Sequence, residues 1–148
     1  MVLVQHIFEA ARKRLAVLLQ DAPICEAAAI LSSPDTPLVV VCNEEGIVVG
    51  VVSKSNVIKA LAEAKADAAK MSIGDVMTNT VLSCQVDQAL QGLWDTMSAR
   101  AVRSVPVVDS SGRPQGVVHA RDLARALLNE VDEEELLLRD YVLGIGYQ

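Results

Sequence analysis

The sequence predicts an α+β protein made of two β-α-β-β-α repeats. Short valine-rich runs are punctuated by turn residues, as in Leu38-Val-Val-Val-Cys42, Asn43-Glu-Glu and Gly46-Ile-Val-Val-Gly-Val-Val52. Segments of strong helix formers alternate with these runs. Sliding the chain against itself by 66 residues, without a gap, brings the two halves into register. Asp21 then meets Asp87, Ser32 meets Ser98, Val39 meets Val105 and Val41 meets Val107. Gly46 meets Gly112 and Gly50 meets Gly116, followed by Val51 on Val117, Val52 on Val118, Ala60 on Ala126 and Leu61 on Leu127. Valines coincide easily by chance, but two glycines in register at a turn and at a strand start do not.

The elements follow in order. Val4, Ile7, Phe8 and Ala11 fall on one face of an amphipathic lead-in helix over residues 1–13. Leu15-Ala-Val-Leu-Leu19 reads as a strand, and Asp21 with Pro23 starts a helix from Ile24 to Leu31. Ser32-Ser-Pro-Asp-Thr-Pro37 is a breaker-rich loop before the two valine strands. Ser55 is read as the cap of a long helix from Asn56 to about Ala69. Met71 to Thr80 is a turn-rich linker. The second round runs through a strand at Val81-Leu-Ser-Cys84, a helix from Asp87 to Ala99, and strands at Val105–Val108 and Gly116–Val118 around Asp109-Ser-Ser-Gly112. A helix then opens near Arg121, and the acidic run Glu130–Glu135 is a solvated helical face. The divisions are 1–13 (lead-in helix), 14–70 (first repeat), 71–79 (linker), 80–130 (second repeat) and 131–148 (tail).

Composition narrows the function. A net charge of −6 argues against a nucleic-acid binder, which presents basic faces, and 3% aromatic residues leave few stacking platforms. Cys25, Cys42 and Cys84 sit among apolar neighbours without metal-ligand spacing and read as buried thiols in a reducing compartment. No apolar run has the length of a membrane span. The stretch after Arg12-Lys-Arg14 is too short for a signal-peptide core. A soluble, cytoplasmic protein is expected, with neither membrane nor nucleic acid as partner. No nucleophile–base pair or metal cluster is suggested, so no enzyme and no required cofactor are expected. Arg103 and Arg121 lie near the last helix start, where free N–H groups and the helix dipole favour a phosphorylated ligand.

Two repeats carrying a Pro-Val-Val-Asp-like strand, a glycine turn and Gly116-Val-Val-His-Ala-Arg-Asp122, preceded by Met77-Thr78, resemble a tandem pair of CBS domains. That family is named after cystathionine β-synthase, where the pair is a regulatory appendage. The resemblance covers about residues 14–130 and is stronger in the second repeat. It implies a stand-alone pseudo-two-fold module, its sheets packed face to face, with two clefts between the repeats. It implies binding of AMP, ADP, ATP or S-adenosylmethionine there, and a homodimer acting on a regulated protein that the sequence does not name. Carried over by residue, Asp122 is the ribose ligand, Arg103 the phosphate ligand and His119 a substitute for the usual Thr or Ser. Leu15, Ala16 and Val17 would offer the adenine slot. The chemistry suits these roles: a carboxylate takes a cis-diol, and a guanidinium forks onto phosphate.

In the first repeat the motif is Gly50-Val-Val-Ser-Lys-Ser-Asn56, with Asn56 in place of the aspartate and Pro37 in place of Arg103. The expectation is therefore one competent site, the one holding Asp122, and a vestigial second cleft. The alternative function is a ligand-free dimerisation module packed through Ala27–Leu31 and Leu90–Met97.

Overall fold

A computed structural model describes residues 1–146, with side chains through Val142. A 3-10 turn over Val4–Ile7 leads into α1 (Phe8–Lys13), followed by β1 (Val17–Leu19) and α2 (Ile24–Leu31). The first hairpin is β2 (Val39–Cys42) and β3 (Val48–Val52), and α3 (Lys54–Ala64) follows it. A short helix α4 (Ile73–Val76) lies inside the expected linker. The second repeat holds α5 (Leu90–Ala99), the hairpin β4 (Ser104–Val108) and β5 (Pro114–His119), and α6 (Ala120–Gly146). In the first sheet β1 runs parallel to β2, and β2 antiparallel to β3. In the second, β4 and β5 pair antiparallel, with Ser104 opposite His119.

Each repeat has its own apolar cluster. Ala27, Leu31, Val39, Val41, Val52 and Ile73 form the first. Leu90, Leu93, Met97, Val105, Val107, Val118 and Leu123 form the second, completed by Val4 and Ala11 from the N-terminal segment. A third cluster of Leu38, Val40, Cys42 and Val117 joins the repeats sheet to sheet. α2 buries Ile24, Ala27 and Leu31 and α5 buries Leu90, Leu93 and Met97, while Ala28, Ile30 and Trp94 on the same segments stay partly exposed.

Several boundaries differ from expectation for physical reasons. The strand expected at Val81–Cys84 reduces to one bridge, Cys84 with Val107. In the first repeat the Val40 N–H donates to the Ala16 carbonyl at 2.8 Å. The matching residue in the second repeat is Pro106, which has no N–H to donate, and the ladder stops there. The helix expected over Asn56–Ala69 starts one residue after Ser53, whose hydroxyl caps it in place of Ser55. It breaks at Lys65 (φ 51°) into a 3-10 segment, Lys65–Lys70, that drops Ala68 into the interior. At the other end α6 continues through the expected tail as one helix of 27 residues, about 40 Å long at the usual helical rise. Gln148 and Tyr147 lie outside the described residues. Of the cysteines, Cys42 and Cys84 are buried and Cys25 is exposed, since it falls on the outer face of α2. Burial pushes the Cys84 thiol up to about 12 and raises that of Cys42.

The matched glycines sit where backbones nearly touch. A Cβ on Gly116 would lie 2.8 Å from the Ala11 carbonyl carbon and 2.9 Å from its oxygen, at the end of α1. On Gly50 it would meet the Met77 side chain and the Thr78 carbonyl, the counterparts of Ala11 and Arg12 one repeat on. The other matched pair, Gly46 and Gly112, turns the hairpins with φ of 83° and 88°. Gly116→Ala should therefore cost about 1–3 kcal/mol, since backbone atoms cannot step aside. Gly92→Ala, on an open face of α5 with no atom near the new methyl, should instead stabilise by about 0.5–1 kcal/mol. Urea unfolding of the two variants checks both signs.

Candidate ligand-binding site

A cavity of about 680 Å³ opens between the repeats. The first repeat supplies Leu38, Val51 and the start of α3, including Lys54 and Asn56. The segment Thr80-Val81-Leu82 forms an adjoining wall, and the second repeat adds Arg100, Arg103 and His119. The volume is in the range of small-ligand pockets, and the mix of aliphatic walls with a few convergent polar groups is typical of them.

Strand register brings Arg103 and His119 together. Ser104 pairs with His119 across the hairpin, and the Ala120 N–H donates to the Arg103 carbonyl at 2.8 Å. The His119 Nδ1 accepts the Arg121 backbone N–H at 3.1 Å, satisfying one of the free donors at the start of α6. In the neutral ring the proton therefore sits on Nε2, which is left as a hydrogen-bond donor. Burial holds the His119 pKa below its ordinary value. Arg14, Arg121 and Arg103 push it the same way, and Asp122 partly opposes them.

Asn56 closes the first-repeat motif on itself. Its Oδ1 accepts from the Ser53 N–H at 2.8 Å and the Ser53 hydroxyl at 3.0 Å, and its Nδ2 donates to Thr78 Oγ1 at 3.2 Å. The amide thus caps α3 and ties it to the linker.

Asp122 is not on the cavity walls. Its carboxylate receives Arg14 Nε at 3.0 Å and Nη2 at 3.4 Å, and the side chains are 12% and 22% exposed. Asp122 and Arg103 therefore do not line this cavity together. Asp122 lies a helical turn beyond His119 and faces the end of α1, whereas Arg103 faces the first repeat. Leu15, Ala16 and Val17 are also off these walls: Leu15 packs on the cluster between the repeats, Ala16 gives its carbonyl to Val40, and Val17 is exposed. Arg121 is exposed and gives the site only its backbone N–H, through His119. The cavity lies beside Ser53 and Asn56 of the first-repeat motif. Its wall Thr80-Val81-Leu82 was legible from the 66-residue offset, which sets those residues on Arg14-Leu15-Ala16. Arg100 gave no motif signal, since it is drawn in by the chain reversal after α5, where Ala101 takes φ 54°. Among the described residues no cluster of His, Cys, Asp or Glu is arranged to hold a metal ion. No helix of these residues is long and apolar enough to cross a membrane.

The sequence profile of the CBS domain matches residues 4–63 and again 73–129. The chain belongs to the CBS domain family. Its fold is that of a CBS pair. It superposes on the CBS-domain protein ATU1752 of Agrobacterium tumefaciens with a TM-score of 0.73 and 28% identity, covering 84% of this chain and 98% of that one. The CBS domain pair of protein MJ0100, solved with 5′-methylthioadenosine and S-adenosyl-L-methionine, gives a TM-score of 0.75 at 28% identity, covering 88% and 98%. The human 5′-AMP-activated protein kinase subunit gamma-3 is 32% identical over 120 residues, 77% of this chain but 24% of the subunit's length.

Two outcomes test this geometry. The Arg14–Asp122 pair ties α1 to α6 of the CBS pair, so Arg14→Met and Asp122→Asn should each cost about 1–3 kcal/mol by leaving a half-buried charge unmatched. The double variant should cost less than their sum, and a double-mutant cycle in urea reads the difference. The second outcome concerns pH. The lowered His119 pKa means that the unfolded chain binds this proton more readily. Stability is complete above about pH 6.5, the ordinary histidine value, and declines as pH falls through the lower folded value. His119→Gln should flatten that part of the stability–pH curve, measured by urea unfolding from about pH 7.5 to about pH 5.

Proposed function

We propose that this CBS pair is a regulatory module that takes an adenosine-containing small molecule, AMP, ADP, ATP or S-adenosylmethionine, into the cavity between its repeats. The observation that carries this reading is the convergence of Arg103 and His119 on a cavity also walled by Val81 and Leu82. Aliphatic walls suit the faces of a purine, and the guanidinium and the Nε2–H suit phosphate oxygens. The adenosine compounds bound by the MJ0100 pair, and the AMP-activated enzyme named for the gamma-3 relative, support the ligand class. Because the walls come from both repeats, a ligand favours the arrangement in which they close on it, and a regulated partner or second copy sensitive to that arrangement is shifted with it.

In this reading Arg103 and His119 bind phosphate, Thr80-Val81-Leu82 replaces Leu15-Ala16-Val17 as the adenine wall, and Asp122 stays with Arg14. Thermal unfolding with each of the four compounds tests it. A ligand at about 100 times its dissociation constant should stabilise by about 2.7 kcal/mol. Arg103→Ala and His119→Ala should each weaken binding by roughly tenfold, the effect of losing one hydrogen bond to a charged group. Asp122→Asn should retain it. The absence of a shift with every adenosine compound would overturn the proposal.

A further inference from the structure

We infer that the cavity selects its ligand by phosphate charge and takes a nucleoside di- or triphosphate in preference to S-adenosylmethionine, 5′-methylthioadenosine or adenosine. The inference rests on the reading of the cavity as an adenosine site and adds the chemical class within it. Its basis is an imbalance of charge. The chain carries a net charge of −6, yet the cavity walls hold Lys54, Arg100 and Arg103 and no acidic residue.

None of these three cations is spent within the fold. The ion pairs of the described residues join the N-terminus to Glu130, Arg12 to Glu9, Arg14 to Asp122, Lys59 to Glu63 and Lys70 to Asp67. Lys54, Arg100 and Arg103 enter none of them. They also come from opposite sides, Lys54 from the start of α3 and the two arginines from the approach to β4. Like charges gathered around one concavity repel until an anion enters, and neutralising three of them takes more than the two charges of a single phosphate.

The sugar side is correspondingly weak. A carboxylate at position 56 would offer the diol two acceptor oxygens, but Asn56 has one, and Ser53 already occupies it. A sulfonium ligand meets three cations and no counter-charge. A phosphate-free nucleoside leaves all three unmatched. Binding energy therefore has to come from the phosphate chain, with the aliphatic walls holding the base.

Isothermal titration with ATP, ADP, AMP, adenosine, S-adenosylmethionine, 5′-methylthioadenosine and inorganic tripolyphosphate tests this, in magnesium-free buffer so that each phosphate chain keeps its full charge. The expected order is ATP, then ADP, then AMP, with roughly tenfold between ATP and AMP, as one further charge-assisted contact would give. S-adenosylmethionine and adenosine should bind at least as weakly as AMP, and tripolyphosphate more weakly than ATP. Arg100→Gln and Lys54→Gln should each lower ATP affinity by more than they lower AMP affinity. Raising salt from about 0.1 M to about 1 M should weaken ATP more than AMP, as the screening length shrinks. If S-adenosylmethionine or adenosine matches ATP, the charge selection is overturned while the adenosine site stands. If tripolyphosphate binds as tightly as ATP, or no adenosine compound binds at all, the adenosine reading falls and this inference falls with it.

Discussion

Everything in the fold depends on a backbone contact that only glycine permits. The segment entering each repeat lies across the second strand of a hairpin: Ala11-Arg12 against Gly116, and Met77-Thr78 against Gly50. At Gly50 the contact is hydrogen-bonded both ways, with Val51 and Thr78 exchanging N–H donors at 3.0 and 2.9 Å. Because each entering segment is pinned there, the residues after it line a cleft beside the helix that follows the same hairpin. Arg14 therefore reaches Asp122, and Asn56 meets Thr78 of the segment entering the second repeat. The valine cluster around Val40 and Val117 joins the sheets, but the glycine contacts decide what faces what.

The two sets of positions related by the 66-residue offset carry opposite chemistry. One presents Asn56, Thr80 and Arg103; the residues 66 positions away in each case are Asp122, Arg14 and Pro37. In the second set the acid and the base satisfy each other, while Pro37 lines the same cavity as Arg103. In the first, the acid has become an amide that caps its own helix, and the cations are left with no partner of opposite charge. The duplicated fold has thus divided its charges, with an internal ion pair at Arg14 and Asp122 and unpaired cations around the cavity beside Asn56. The Arg14–Asp122 pair also fastens α1, whose Ala11 is part of the second repeat's core, to the first turn of α6.

The fold was largely legible because its signals are local. Valine runs, turn glycines and helix formers mark elements one at a time, and a 66-residue offset repeats them. What escaped notice depended on tertiary context. Nothing in Ala64-Lys65-Ala66 announces a break, since these are good helix formers; the break exists because Ala68 is buried. The loss of the strand at Val81–Cys84 was encoded in Pro106, but only a reader who already knew which strand it should pair with could see the missing N–H.

The site was harder to read for a different reason. The resemblance groups Arg103, His119 and Asp122 in one site, whereas the cavity between the repeats is lined by Arg103 and His119 without Asp122. His119 ends a strand and Asp122 lies in the first turn of the following helix, so the two sit on different elements. His119 stands at the junction: its position in β5 puts it beside Arg103 and on the cavity wall, while its Nδ1 caps the helix that carries Asp122 towards Arg14. The residues that act together are those that meet across the repeat boundary. The 66-residue offset sets Asn56 on Asp122 and Thr80 on Arg14; Arg14 bonds Asp122, and Asn56 bonds Thr78. Arg103 lines the cavity of Asn56 from the opposite repeat.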